Sequence, residues 1–443
     1  MIEQAHLIER AKALEHFQFL LQQPFTWVLI VTGLDGIGKS QFLEQIKTHY
    51  TQDITLSLTI DFADDQYQEP LNVMETIAEY TADYCDPDTV RQFRQKLTEV
   101  RHDIQKFLLN KNKFVMKIEA LDGSTVSGNA LRMQAEVENA LREVKKHARE
   151  LVRESLCKQL VTFSERISSP SSSKKLYLLL CFDECQKLDQ DNFKWVEALS
   201  KTIRERLRVS QASVACLVVG ASRTKLFPEI IKRDEYHILP LEALSPSDTK
   251  HYLQARGIVP EPELCKVFYD LTKGHPLCLA LAAEIYQEMQ QESLPFSATV
   301  FIERFYQRAW NELIQARVTN DLKKSYADVI YYGTFAEYFT DNILRRVLKI
   351  PMGTDEFKYH ELTRLPSIVP APNHHTYHAI DSLIRRIIIE YEKKHHPEEC
   401  KYAKQYRKEF ERLCKQSDSG SILSWSDKFN LYVAKKRNKG HYL

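Results

Sequence analysis

Gly33-Leu34-Asp35-Gly36-Ile37-Gly38-Lys39-Ser40 decides how this chain is read, because its glycine, lysine and serine spacing is that of a phosphate-binding loop and its neighbours suit that role. Upstream, Phe25-Thr26-Trp27-Val28-Leu29-Ile30-Val31-Thr32 is apolar and β-branched and predicts a buried strand. Downstream, Gln41-Phe42-Leu43-Glu44-Gln45-Ile46 predicts the first turns of a helix. Strand, glycine loop and helix in that order make an anion site, since loop N–H groups and the helix N-terminus converge on phosphate oxygens. Gly33, Gly36 and Gly38 let the backbone approach the phosphates, with Gln41 beside them at the helix start. Lys39 would reach the β/γ-phosphates, and the Ser40 hydroxyl would take a Mg²⁺ position. A glycine turn between core elements is the alternative, and the flanking elements weigh against it. The expected ligand is a nucleoside triphosphate.

The composition permits this and excludes other classes. A length of 443 residues suggests two to four domains with substantial cores. Lys+Arg 61 against Asp+Glu 60 leaves a net charge of +1, so no global field points to nucleic acid or membrane. Nine cysteines are scattered, several inside apolar runs, which predicts reduced core thiols rather than disulfides or a metal site. Met1-Ile2-Glu3-Gln4-Ala5-His6 lacks a basic leader, and no apolar stretch reaches membrane-spanning length, so a cytoplasmic protein is expected. Of only 12 glycines, three lie in the phosphate loop, where backbone must come close to a ligand.

The expected fold class is α/β: a P-loop core with a parallel sheet, then helices, then a small mixed module. Residues 1–24 carry an amphipathic helix, with Ile8, Ala11, Leu14 and Phe17 at helical spacing. The core spans 25–244, with strands predicted at 54–60, 176–182, 213–219 and near 237–239, and a helix over 71–84. A charged helical insertion at 86–170 interrupts it, with a polar turn at 123–128, and 168–173 reads as a linker. Ser245-Pro246-Ser247-Asp248 is a helix start, with serine as cap and proline at the first helical position. Helices at about 261–272, 276–290, 298–317 and 320–330 follow, giving a helical lid over 245–318. Residues 319–392 mix helix with short β-like pieces and suit a winged-helix domain, and 393–443 form a basic helical tail.

Hydrolysis needs more than a loop. Leu176 to Phe182 ends in Asp183-Glu184, two carboxylates at the edge of an apolar strand, where an open parallel sheet would place a Mg-nucleotide site. Asp183 is the Mg²⁺ candidate and Glu184 the catalytic base; a polar strand end is the alternative. The next strand runs into Gly220-Ala221-Ser222-Arg223, whose guanidinium would stabilise the γ-phosphate unless Arg223 is a surface loop residue. Gly274-His275-Pro276-Leu277, read alone, is a helix stop and restart.

Taken in order, the loop, Asp183-Glu184, Gly220-Ala221-Ser222-Arg223 and Gly274-His275-Pro276-Leu277 resemble the STAND class of signal-transduction ATPases, which includes the NACHT and NB-ARC proteins, and bacterial members most of all. Leu241-Glu242-Ala243-Leu244-Ser245 resembles the start of their lid, and Leu7-Ile8-Glu9-Arg10-Ala11-Lys12-Ala13-Leu14 their N-terminal arginine motif. The resemblance implies a sheet in the order 5-1-4-3-2, Pro276 near the adenine, Arg10 bordering the nucleotide and Arg223 as γ-phosphate sensor. It also implies a winged-helix histidine that holds ADP, for which His378 is the nearest candidate. The aspartate usual after that histidine is Ala379 here, and a packing histidine is the alternative.

The function so implied is an ATP/ADP switch with slow Mg²⁺-dependent hydrolysis, closed with ADP, opening and forming a homo-oligomer with ATP. A separate effector protein would carry the output, in signalling or antiviral and conflict defence. The alternative is an AAA+-like DNA-handling ATPase, an initiator or transposition regulator. For it speaks the tail, where residues 391–443 hold 13 Lys/Arg against 7 Asp/Glu, interleaved with Tyr402, Tyr406, Phe410, Trp425, Phe429 and Tyr432. A solvated packing face explains the same tail, so nucleic acid is not the favoured partner.

Overall fold

The computed structural model describes residues 10–21, 28–50, 54–121, 128–167, 177–188, 198–199, 201–203, 205, 215–222, 236–259, 261–292, 296–320, 322, 324–335, 338–341, 344–345, 358–371 and 374–397. The polar turn at 123–127, the linker at 168–173, Arg223 and the tail beyond residue 397 lie outside them.

A five-stranded, all-parallel sheet forms the centre. Its strands are β1 (Val28–Thr32), β2 (Ile54–Asp61), β3 (Tyr177–Asp183), β4 (Ala215–Ser222) and β5 (Tyr236–Pro240), in the order β2-β3-β4-β1-β5. Read from the other edge this is 5-1-4-3-2, the order that the resemblance implies. Strands β1 and β3 are buried on both faces, which is why their apolar runs are continuous rather than alternating. Leu29, Val31, Leu179 and Cys181 face one core with α1 (Ala11–Leu21) and α2 (Lys39–His49). Ile30, Leu178, Leu180 and Phe182 face the other, with α3 (Pro70–Thr81) and the helices that follow it. Neighbours in sequence thus serve opposite layers, the period of two that a strand imposes.

In α1 the buried face is Ala13, Leu14, Phe17 and Leu20, while Ala11 is exposed. The Tyr50 hydroxyl donates to the Leu14 carbonyl at 2.9 Å and pins α1 to the end of α2.

Where an insertion is predicted, two long helices, α4 (Pro87–Leu121) and α5 (Gly128–Ile167), pack as a hairpin. Its base belongs to the sheet's second core through Val90, Phe93, Leu97 and Val100 on α4 and Val152, Leu156, Leu160 and Phe163 on α5. Buried Gln159 ties the hairpin to α3, its Nε2 donating to the Ala78 carbonyl at 2.6 Å.

After β5 the chain turns helical with α6 (Pro246–Ala255), α7 (Pro262–Thr272), α8 (Pro276–Gln291) and α9 (Ala298–Ala309). The predicted start of α6 is a capping box: Ser245 Oγ accepts from the Asp248 N–H at 3.1 Å, and Asp248 Oδ2 accepts from the Ser245 N–H at 3.2 Å. The single helix predicted over 298–317 is two windings, α9 and then a π-helix at Trp310–Thr319. Its buried residues Trp310, Leu313, Ile314 and Val318 have spacings that an α-helix would also give, so the pattern does not separate the two. Next come α10 (Lys324–Gly333), a short turn α11 (Tyr359–Leu362), the antiparallel pair β6 (Ile368–Ala371) and β7 (His374–Ile380), and α12 (Ser382–His395). One hydrophobic core runs unbroken through these elements, from Leu244 to Ile388. No helix among the described residues is long and apolar enough to cross a membrane.

Candidate nucleotide-binding site

The loop leaves the C-terminal end of β1 and hands over to α2 at Lys39. Lys39 is buried, and its Nζ donates to the carbonyls of Gly33 and Leu34, each at 3.0 Å, which fixes the ammonium within the loop's own curve. Two strands along the sheet, β3 ends in Asp183 and Glu184. Glu184 adopts the left-handed conformation, φ 51° and ψ 38°, which costs a non-glycine residue about 1 kcal/mol. Asp183 Oδ1 accepts the Glu184 N–H at 2.9 Å and so steadies that turn.

A cavity of about 460 Å³ opens over the loop. Gly36, Gly38, Lys39, Ser40 and Gln41 form its floor, with Glu184 at one side. Arg10 and Pro276 complete the predicted residues that line it. Gly33 contributes through its carbonyl beneath Lys39, and Asp183 lies directly behind Glu184, neither being part of the lining. Residues that no local motif announces make up the far wall: Tyr252 and Arg256 from the end of α6, Leu281 and Glu284 from α8, and Glu312 and Arg317 from the π-helix. The Arg256 guanidinium lies over the Tyr252 ring, 5.4 Å from its centre.

The helices after β5 and the loop are in direct contact. The Leu277 N–H donates to the Gly36 carbonyl at 3.3 Å, and a Cβ on Gly36 would stand 2.7 Å from that of Leu277. Gly274 has φ 72°, and a Cβ there would sit 2.0 Å from the Leu244 carbonyl oxygen, so this turn accepts glycine alone. His275 caps α8 and is buried beneath the loop, with its Nδ1 accepting from the Cys278 N–H at 3.5 Å. Burial pushes its imidazole down to about 3; the positive charges of Lys39, Arg10 and Arg317 add to this, and the Asp35 backbone opposes it. Gly274-His275-Pro276-Leu277, a helix restart when read alone, is where α8 meets the loop.

Arg10 ties the N-terminal helix into the same joint. One guanidinium nitrogen donates to the Glu242 carbonyl at 2.7 Å, and the other reaches the Ile37 carbonyl within the loop. Burial lowers this guanidinium to about 10, and Asp248 pulls it back up. His378 stands elsewhere: it lies on β7, its Nδ1 shares a hydrogen bond of 2.8 Å with the Tyr359 hydroxyl, and it is not among the described residues that line the cavity. Among the described cysteines, Cys85, Cys157, Cys181, Cys185 and Cys278 are buried and in no disulfide. Burial pushes Cys181 up to about 12, so it stays a thiol.

Among solved structures, the chain is similar to a Walker-type ATPase of Pyrococcus abyssi, with 14% identity and a TM-score of 0.51 over 86% of this chain and 95% of that one. The chain has the fold of a P-loop ATPase. Weaker matches to this P-loop ATPase fold include Cdc6p of Pyrobaculum aerophilum, 13% identical over 88% of this chain and 97% of that one, TM-score 0.39. Another is a STAND protein with a tetratricopeptide repeat sensor from Pyrococcus horikoshii, 12% identical over 95% of this chain and 47% of that one, TM-score 0.34. No family model and no curated protein matches the chain.

The donor set fits a polyphosphate. Lys39, Arg10 and Arg317 bring positive charge to one cavity, the loop presents backbone N–H groups, and Ser40 and Glu184 stand at its edge as oxygen ligands or proton acceptors.

Proposed function

We propose that the chain is an ATP/ADP-operated switch of the STAND type rather than a high-turnover enzyme. The observation that carries this reading is the contact of Leu277 with Gly36: the surface that would cradle phosphate is also the surface on which the lid rests. A ligand in that cavity touches both bodies, so it has unequal affinity for the docked and undocked shapes, the condition for shifting their populations.

In this reading Lys39 and the loop N–H groups hold the phosphates and Pro276 packs near the base. Ser40 and Asp183 would hold Mg²⁺, which supplies charge neutralisation at the β/γ-phosphates. Glu184 orients the attacking water and accepts its proton on the carboxylate, and Arg223 supports the γ-phosphate. Arg10 keeps the loop and the strand-to-lid connection together. With ADP the closed monomer is favoured; ATP favours an open form that assembles with copies of itself and engages a separate effector. Signalling in conflict or antiviral defence is the role that the sequence resemblance supports.

The test is the identity of the nucleotide that purified protein retains, together with its mass by light scattering in ADP and in ATP with Mg²⁺. Wild type should change mass or shape between the two states and Lys39→Ala should not. The same mass and shape in every state would sink the switch while leaving nucleotide binding to be judged on the retained ligand.

A further inference from the structure

The segment after α9 is wound with i→i+5 bonds across Trp310–Thr319, and the Thr319 hydroxyl adds a bond to the Ile314 carbonyl, five residues back, at 3.0 Å. Windings of this kind are rare and concentrate at functional sites. Two of its exposed charged residues, Glu312 and Arg317, line the cavity, and they too are five positions apart. In an α-helix of about 3.6 residues per turn, five steps would carry a side chain about 140° around the axis. With i→i+5 bonding the same five steps close nearly a full turn, so the winding itself puts both residues on the cavity wall.

The support beneath them is fixed. Leu313, Ile314 and Val318 are buried in the helical core, and Trp310 stacks flat on Tyr391 of α12, with centroids 4.4 Å apart and planes 6° apart. Arg317 lines the same cavity as Gly36, Lys39 and Ser40, and its charge, like that of Lys39, acts on buried His275. His275 in turn lies against the loop, where a Cβ on Gly36 would be 3.2 Å from its Cε1. The other two cations that act on His275 each bond two backbone carbonyls, Lys39 within the loop and Arg10 between the loop and Glu242. Arg317 comes from a third segment, the winding that follows α9.

We propose that Arg317 reads the terminal phosphate of a bound nucleoside triphosphate, and that the π-helical winding is what holds it over the loop. This deepens the nucleotide reading above and rests on it. A guanidinium makes forked, charge-assisted contacts to phosphate oxygens, which an ammonium cannot reproduce. A contact made only to the third phosphate gives the lid different affinities in the triphosphate and diphosphate states, and so couples the hydrolysis state to the lid's position.

The test is calorimetric titration of the full chain, as wild type, Arg317→Ala and Arg317→Lys, with Mg-ADP and with a non-hydrolysable Mg-ATP analogue. Arg317→Ala should weaken the triphosphate analogue about tenfold or more and leave ADP within about twofold, with Arg317→Lys recovering only part of the loss. Equal losses for both nucleotides, or an unchanged triphosphate affinity, overturn the proposal. Arg317 is exposed, so the alanine variant should melt with wild type; if it does not fold, the lysine variant decides by the same comparison. A wild type that binds neither nucleotide overturns the nucleotide reading itself, a failure that the wild-type titration alone reveals.

Discussion

The backbone N–H of Leu277 bonds the carbonyl of Gly36, so the first turn of a lid helix and the crest of the phosphate loop share one hydrogen bond. A side chain added to Gly36 acts on both bodies at once, since its Cβ would stand 2.7 Å from that of Leu277.

Gly274→Ala should be among the most damaging single changes in the lid. Its Cβ would meet the Leu244 carbonyl oxygen at 2.0 Å, and the backbone there has no room to retreat. Gly257 has nearly the same φ, 74°, with nothing within 4 Å of its Cβ, and so isolates the conformational cost alone. Urea unfolding should show about 1 kcal/mol for Gly257→Ala and roughly 3 kcal/mol or more for Gly274→Ala. Similar losses in the two variants would mean that the joint is not tightly packed.

Lys39→Ala and Glu184→Gln should separate binding from chemistry. The first removes the loop's ammonium and should abolish nucleotide retention in a chain that still folds. The second keeps the shape at the end of β3, and should retain ATP while slowing its hydrolysis by about 10² to 10⁴. Single-turnover measurements check this, and undiminished turnover in Glu184→Gln removes Glu184 from the role of base.

His275 should make the fold acid-sensitive. Its imidazole is held at about 3 in the folded chain against 6.5 when free, so between those values the unfolded state binds more protons. The contribution of His275 is therefore complete above 6.5 and falls away as pH drops below it. His275→Asn keeps a cap acceptor for the Cys278 N–H and cannot titrate in this range. Urea midpoints measured from about pH 7.5 down to about 5 should fall more steeply for wild type than for the variant. Parallel slopes would place the acid sensitivity elsewhere.

Arg10→Ala should loosen the loop from the strand-to-lid connection. It leaves the Glu242 and Ile37 carbonyls without the guanidinium, a loss of about 1–3 kcal/mol in thermal or urea unfolding. Arg10→Lys replaces the two donor nitrogens of a planar fork with one flexible ammonium, so it should rescue only part of the loss. Full rescue by lysine would show that charge rather than the fork matters.

What the sequence disclosed follows from what is local. The loop, its strand and its helix are contiguous, and the apolar runs that become β1 and β3 stand out because both faces of those strands are buried. The cap at Ser245 is written in four consecutive residues. The far wall of the cavity is not local: Tyr252, Arg256, Glu284 and Arg317 come from three separate helical segments, and nothing in their spacing marks them as neighbours. His275 looked bland because a histidine at a helix restart needs no partner in sequence; only the packing of α8 on the loop gives it one. Helical periodicity likewise conceals the π-winding, since Leu313, Ile314 and Val318 satisfy either geometry.

The long hairpin has a mechanical consequence. At about 1.5 Å per residue, the 35 residues of α4 reach about 50 Å, and among its described side chains those that join the core run from Val90 to Ile104, near the root. That root shares its hydrophobic layer with Phe182, two residues before Glu184. The hairpin is thus a crowbar rooted in the same hydrophobic layer as the strand that delivers the acidic pair, so a torque at its far end is felt in the layer beneath Phe182.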